Sequence, residues 1–239
     1  MNSERFRFFS SVFRESDLLI GVPHKDFHPD MPALSRKEQI RLYKLLSDHD
    51  ASHPGFMSSL EPLPVPDGLP GFSPELELMY KCGIQSGTGP MSAVAGLFAE
   101  AVARKLDASF GISEMVVENG GDLYIRNGSD LLSVIYAGSS ALSEKLALLI
   151  PGGKWGVCTS SGTLGHSFSR GKADALTVVA RSTPMADAWA TALANQVRDL
   201  SDIEPVLERI AHIPEILTCV VIVGDRVGVR GELEVKLLS

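Results

Sequence analysis

Asp187, Thr191 and Asn195 recur every four residues along Pro184-Met-Ala-Asp-Ala-Trp-Ala-Thr-Ala-Leu-Ala-Asn195. On a helix this interval stacks the three side chains on one stripe, opposite Met185, Ala188, Trp189, Ala192 and Leu193. A carboxylate and a hydroxyl one turn apart are hard oxygen donors suited to Mg²⁺, a cation that often bridges to substrate phosphates. Asp187 is also the single charge between Pro184 and Val197. A surface helix normally carries Lys, Glu or Arg on its outer face. This one carries Ala, Thr and Asn, so it is expected to be covered on both sides. An acid on a covered helix needs a partner, because an unpaired buried carboxylate is costly. The partner is a metal ion, a backbone N–H or a ligand. A plainer reading places Asp187 in the first turn, where it complements the helix dipole.

Just before this helix runs Gly156-Val-Cys-Thr-Ser-Ser-Gly-Thr-Leu-Gly-His-Ser-Phe-Ser-Arg170, read as a loop. Residues 158–169 place hydroxyls at Thr159, Ser160, Ser161, Thr163, Ser167 and Ser169. Hydroxyls and loop amides suit phosphate or sugar hydroxyls. His166 lies among them and titrates near neutrality, so it is the candidate general acid or base. Ordinary loops are also rich in Ser and Gly. Here the low charge and the position ahead of the lone acid favour a functional reading.

Two glycine-rich segments add candidates. Asn119-Gly120-Gly121-Asp122 lies between two strand-like runs and reads as a hairpin turn. Its glycines would also let backbone N–H groups approach a phosphate or a ring edge. Gly87-Thr88-Gly89-Pro90-Met91 leads into a helix, whose N-terminus suits an anion, or else it is a glycine hinge.

Several familiar machines are excluded. No Walker A loop, GxGxxG fingerprint or GxSxG elbow occurs. Cys82, Cys158 and Cys219 are far apart, which argues against a disulfide framework and for small buried thiols. His24, Asp26, His28 and Asp30 alternate, but Pro23, Pro29 and Pro32 oppose a regular strand there. His49 and His53 have zincin spacing, yet Asp50 stands where the glutamate belongs and Pro54 ends the helix. A zinc hydrolase built on these histidines is the weakest of the functional readings.

The elements that must position these residues are mixed. Strands are expected around Phe6–Phe8, 18–20, 115–118, 122–126, 131–137, 145–150, 175–181, 216–223 and 226–237. Helices are expected at 35–49, 74–81, 91–106, 184–197 and 202–211. Residues 22–34 read as a Pro-rich loop, and Pro54, Pro62, Pro64, Pro66 and Pro70 as an extended connector. The class is α+β with mixed or antiparallel sheets packed on central helices. The 239 residues form one domain: an N-terminal lobe over 1–60, a Pro-rich connector over 61–73 and a main body over 74–239. A net charge of −7 gives no nucleic-acid footprint. Met1–Phe9 holds charges where a signal peptide needs an apolar core, and no apolar run approaches a membrane span. The expectation is a soluble cytoplasmic protein, and strand content with covered helices points to a homodimer.

Glu118-Asn-Gly-Gly-Asp-Leu-Tyr-Ile125, Thr159-Ser160 and Ala186-Asp-Ala-Trp-Ala-Thr191 resemble, in order, the signature segments of the ApbE-like superfamily of FAD:protein FMN transferases. Gly89-Pro-Met-Ser-Ala-Val-Ala-Gly96, Cys158–Ser169 and Gly171-Lys-Ala-Asp-Ala-Leu-Thr-Val178 are more similar still to an uncharacterised, UPF-type branch of that superfamily. The resemblance runs from about residue 83 to 197. It implies an α+β fold with an FAD pocket between lobes. It also implies Mg²⁺ at Asp187 and Thr191, with a backbone carbonyl near the start of the 91–106 helix as a further ligand. His166 falls near the histidine that precedes the transferases' Asp-Pro-Arg-Thr-Gly element. That element is replaced here by Ser167-Phe-Ser-Arg-Gly171, the lysine of the Ala-Lys-Gly motif by Ala95, and a following aspartate by Glu100.

Two functions follow. One is a Mg²⁺-dependent enzyme on a flavin or other nucleotide diphosphate, performing FMN transfer or pyrophosphate cleavage. Its cofactor contacts would come from Thr88, Gly89, Met91, Asn119, Gly120, Gly121, Asp122, Thr159, Ser160, Ser161 and Ser169. The other is a non-catalytic binding protein that kept the fold and lost the transfer chemistry. In both, the partner is a phosphate-bearing small molecule, not nucleic acid or membrane.

Overall fold

A computed structural model of the chain describes residues 4–69, 73–162 and 171–238. β1 (Phe6–Phe13) and β2 (Ser16–Pro23) form an antiparallel hairpin, and β2 continues onto β3 (Met115–Asn119). β3 pairs with β4 (Asp122–Asn127) through the Gly120-Gly121 turn. β7 (Gly153–Ser160), β8 (Ala175–Ala180), β9 (Ile216–Val223) and β10 (Arg226–Gly231) complete an eight-stranded sheet in the order β1-β2-β3-β4-β7-β8-β9-β10. Every neighbouring pair in it is antiparallel. β5 (Leu131–Val134), β6 (Leu146–Ile150) and β11 (Val235–Leu237) form a second antiparallel sheet in the order β11-β6-β5.

Among the described residues, five α-helices complete the α+β fold: α1 (Met31–Ser52), α2 (Pro74–Ser86), α3 (Val94–Phe110), α4 (Thr183–Ala194) and α5 (Ile203–Ile210). The two-residue period of the strands divides the large sheet into two apolar faces. Cys158, Val178 and Cys219 lie directly opposite one another and pack on α4. Leu18, Ile20, Met115 and Val117 pack on α3 through Ala99, Val102 and Leu106. The other face, including Val116, Ile125, Val157 and Val179, packs against Leu146, Leu148 and Ile150 of the small sheet.

The helix ends follow local chemistry. Ser73 caps α2 by accepting the N–H of Leu76, and Pro74 occupies the first turn, where its missing N–H costs nothing. The helix then runs beyond the expected Lys81 to Ser86 and ends at Gly87 in the left-handed region. α1 begins four residues before expectation, because Pro32 sits in its first turn instead of breaking a loop. The expected 91–106 helix divides into a tight 3-10 turn over Pro90–Ala93 and α3. No helix among the described residues is long and apolar enough to cross a membrane.

Candidate functional site

Eleven of the twelve residues of α4 are buried, so this helix is covered on both sides as its composition implies. Thr191 is the exception, and it opens onto two cavities. The first, of about 1030 Å³, lies on the face of the large sheet between Phe8, Val116, Leu123 and Val157 below and Leu132 to Tyr136 beside it. The second, of about 1060 Å³, lies between Met57–Glu61, Ser86–Ser92 and the C-terminal end of α4, with Arg198 and Arg209 at its edge. Both cavities are lined by Asp122, Ser160, Asp187 and Thr191. These four side chains mark the junction.

Asp187 accepts the backbone N–H of Gly96 at 2.9 Å, tying α4 to the first turn of α3. The approach needs glycine: a Cβ at residue 96 would stand 2.6 Å from the Thr183 carbonyl oxygen and 3.0 Å from the Asp187 Cβ. Burial holds the Asp187 carboxyl well above the usual carboxylate range, and the nearby Asp122 pushes it further. The N–H groups of Gly96 and Ala95 act in the opposite direction.

Asp122 opens β4 after Gly120 and Gly121, whose φ angles of +63° and +104° make the tight turn that glycine permits. Its carboxyl is pushed up to about 7, chiefly by burial. A hydrogen bond from the Cys158 thiol opposes that rise, the Glu118 charge adds to it, and the Thr159 N–H lowers it. Two buried carboxyls that each disfavour ionisation are a setting in which bound positive charge is strongly favoured.

The donor set fits a hard divalent cation. Asp187 supplies a carboxylate and Thr191 a hydroxyl one turn on, a spacing that makes them neighbours on a helix. Ala95 lines the second cavity beside them. Its carbonyl accepts a hydrogen bond from the Asn119 amide at 3.1 Å in addition to its place in the α3 ladder. Among the described residues, no group of three or more His, Cys, Asp or Glu side chains could hold a metal. The zinc reading therefore finds no centre there. His49 instead pairs with the Tyr80 hydroxyl at 2.9 Å and stacks on His53, while Asp26 accepts the Ser113 N–H.

The other sequence candidates divide between the two cavities. Gly120, Gly121, Thr159, Ser160 and Ser161 line the first. Thr159 and Ser160 lie on β7 and not on a loop, because they pair with Thr177 and Leu176 of β8. The Thr159 hydroxyl bonds that of Thr177 across the ladder at 2.8 Å. Thr88, Gly89 and Met91 line the second cavity. The Gly89 N–H donates to the Leu60 carbonyl at 2.9 Å, and the Thr88 hydroxyl lies 2.6 Å from those of Ser86 and Ser92. This segment forms a wall of the second cavity, with the Gly89 donor already engaged. Asn119 positions Ala95 from beneath the junction. His166 and Ser169 lie outside the described residues.

Sequence reasoning missed Glu118, which lines the first cavity from β3. Its signal was the two-residue period, which turns Glu118 away from Asn119 onto the face of Val116. Glu100 proves to be an anchor: its carboxylate accepts the Thr183 N–H at 2.8 Å, at the start of α4, and pairs with Arg104. The three cysteines are buried free thiols, with Cys82 pushed up to about 12 mainly by burial.

A family model described as "AbpE bacteria" matches residues 1–212. The UPF0280 protein of Methanocaldococcus jannaschii is 33% identical over 229 residues, covering 93% of this chain and 89% of that one. The chain belongs to the UPF0280 branch of the ApbE-like superfamily. A second UPF0280 protein, from Methanosarcina barkeri, is 38% identical over 200 residues, 82% of this chain and 78% of that one. Among solved structures, the apo form of the Pseudomonas stutzeri flavinyl transferase ApbE matches 94% of this chain and 93% of its own, with a TM-score of 0.59 and 17% identity. The ApbE protein of Thermotoga maritima matches with a TM-score of 0.55 and 12% identity, over 95% and 97% of the two chains. These likenesses establish that the ApbE-like chain has the ApbE fold.

Proposed function

We propose that this protein binds a flavin dinucleotide, FAD or a close relative, with Mg²⁺, and breaks its pyrophosphate bond. The observation that carries this reading is the junction of two cavities at Asp122, Ser160, Asp187 and Thr191. A dinucleotide has two ring systems joined by a diphosphate. Two chambers meeting at a polar, acid-bearing junction suit that bipartite shape, with one ring system in each and the diphosphate between them.

Asp187, Thr191 and the Ala95 carbonyl would hold the cation, with Asn119 orienting Ala95 through its amide. When bound, the cation supplies charge neutralisation at the phosphate oxygens. The Ser160 and Ser161 hydroxyls, at the edge of the first cavity, would hydrogen-bond those oxygens. His166 is assigned the proton of the attacking hydroxyl. In the reaction the bond between the two phosphates breaks, the hydroxyl oxygen joins the flavin-side phosphorus, and AMP leaves. A protein threonine as acceptor gives FMN transfer, and water gives free FMN.

A second reading, a binding protein without turnover, is favoured by Glu100. The residue in the place of the transferases' aspartate is committed to the Thr183 N–H and to Arg104. Calorimetric titration with FAD, with and without Mg²⁺, tests the shared part of both readings. Binding that requires Mg²⁺ and is lost in Asp187→Ala is the expected result. No binding under either condition would end the flavin reading. Mass spectrometry for AMP and FMN in the bound samples then decides between enzyme and binder. Full AMP release by His166→Ala would remove its proton-transfer role.

A further inference from the structure

Glu118, with Arg5, Asp130 and Glu144, is one of the ionisable residues lining the first cavity that the proposed function leaves without a task, and it is the one carried by the central strand β3. β3 pairs with β2 on one side and β4 on the other, so Glu118 lies between Leu19 and Leu123. Leu123, Val116, Phe8 and Val157 make a broad apolar floor. Glu118 is half-buried there, and among the described residues no hydrogen bond or ion pair engages its carboxyl. A carboxyl set in an apolar floor without a protein partner is costly unless a ligand satisfies it.

The cavity also has a direction. Asn119 and Asp122 turn toward the helices, whereas Glu118 turns toward the small sheet, so the acid sits across the Gly120-Gly121 turn from Asp187. It is therefore placed for the head of a ligand whose phosphates lie at the junction. The wall opposite holds Leu132, Val134 and Tyr136, all well exposed to the cavity and the solvent beyond it. Apolar side chains on both wall and floor suit a wide, flat, apolar ring. The second chamber is lined by Ser58, Ser59, Ser86, Thr88 and Ser92 and suits a smaller, more polar nucleoside.

Resting on the flavin reading above, we propose that Glu118 is the specificity residue for the tricyclic ring: its carboxyl donates to a ring carbonyl and accepts from the adjacent ring N–H. An un-ionised carboxyl offers this donor–acceptor pair in one plane, which matches an imide edge. Burial on the apolar floor, reinforced by the charge of Asp17, raises the Glu118 carboxyl above the usual carboxylate range and so favours that form.

The test titrates Mg²⁺-loaded wild type, Glu118→Gln and Glu118→Ala with FAD, FMN and ADP. Glu118→Ala is expected to weaken FAD and FMN about tenfold, the loss of a buried hydrogen-bonding pair, while ADP changes less than about twofold. Glu118→Gln keeps a donor and an acceptor and is expected to retain FAD within about threefold. The visible absorption band of bound flavin should shift between wild type and Glu118→Ala, a signature that a purely structural residue would not give. Unchanged FAD affinity in a folded Glu118→Ala overturns the proposal while leaving the flavin reading intact. Equal loss of FAD and ADP overturns it as well, by showing that Glu118 only supports the fold. If Glu118→Ala does not fold, a tenfold loss of FAD in folded Glu118→Gln is the overturning result. Wild type that binds no FAD overturns both.

Discussion

The carboxylate of Asp187 on α4 accepts the Gly96 N–H on α3 at 2.9 Å, so one acid both joins the two central helices and faces the ligand cavities. Structure and chemistry are thereby linked at a single atom pair. Anything that moves α3 relative to α4 moves the proposed metal ligand. The same helix step brings Ala95, one residue before Gly96, to the second cavity.

Gly96→Ala should therefore destabilise the protein and disturb the site together. In a helix interior Ala is about 1 kcal/mol better than Gly. Against that gain, the added Cβ would meet the Thr183 carbonyl oxygen at 2.6 Å, and a backbone carbonyl cannot rotate away. Overpacking of this kind costs about 1–3 kcal/mol, so the clash outweighs the propensity. With two backbone atoms of Thr183 under 3.0 Å, the cost falls toward the upper end of that range, and urea denaturation should show a net loss approaching about 2 kcal/mol. Calorimetry should show weaker Mg²⁺ binding in the folded fraction. An alanine variant as stable as wild type would mean that the helices separate freely.

The buried acids make stability depend on pH in a definite direction. Asp122 has its carboxyl raised to about 7 in the folded protein, against an ordinary value of about 3.9 when unfolded. Between those values the native state binds more protons than the unfolded state, so metal-free stability falls as pH rises from about 4 to 7. The Asp122 contribution levels off above its own folded value. Asp187 is shifted in the same direction and adds to the fall. A cation that replaces the lost protons should restore stability over this window. Melting temperatures in chelator and in Mg²⁺ should nearly coincide at acid pH and diverge at neutral pH. In Asp122→Asn the fall in chelator should be smaller. Equal metal effects at both ends of the range would count against a cation at this junction.

Much of this arrangement was legible from residue types. The charge-poor α4 announced its own burial, and Ser73-Pro74 marked the start of α2, because capping and proline geometry are local. The Gly120-Gly121 turn was legible for the same reason. The misses came where local signals had competing readings. Pro32 reads as a loop residue until its place in a first helical turn is known. The hydroxyls of Thr159 and Ser160 suggested a loop, but strand pairing to β8 overrode them. The closeness of Asp122 to Asp187 could not be read at all, since it depends on how a hairpin end and a distant helix meet in three dimensions. Glu118 was visible only as part of a signature segment, and its separate face became evident with the strand register.

Glu100 offers a separation of structural from catalytic acids. It is buried, and its carboxylate satisfies the Thr183 N–H at the start of α4. Glu100→Ala leaves that donor without its partner, at a cost of about 1–3 kcal/mol. Glu100→Gln keeps an acceptor oxygen and should retain most of the stability. Neither change touches Asp187 or Thr191, so Mg²⁺-dependent FAD affinity should persist in the glutamine variant. Denaturation curves and calorimetry on the two variants check this. Loss of binding in a fully stable Glu100→Gln would move Glu100 from anchor to ligand-binding group.

Gly89 tests the wall of the second cavity. Its backbone is extended with φ −69°, so an alanine there faces no dihedral strain. What excludes a side chain is space: a Cβ would lie 1.8 Å from the Ser59 carbonyl oxygen and 2.7 Å from its carbon. Relief requires the 59–60 segment to withdraw, which breaks the Gly89 N–H bond to the Leu60 carbonyl. Gly89→Ala should lose about 3 kcal/mol by denaturation. Because Ser59, Leu60 and Thr88 line only the second cavity, the folded variant should lose affinity for ADP while retaining FMN. That selectivity separates wall displacement from general destabilisation, which would lower both ligands alike. An unchanged ADP affinity, with the expected loss of stability, would remove the second cavity from the ligand's path and leave the nucleoside end outside it.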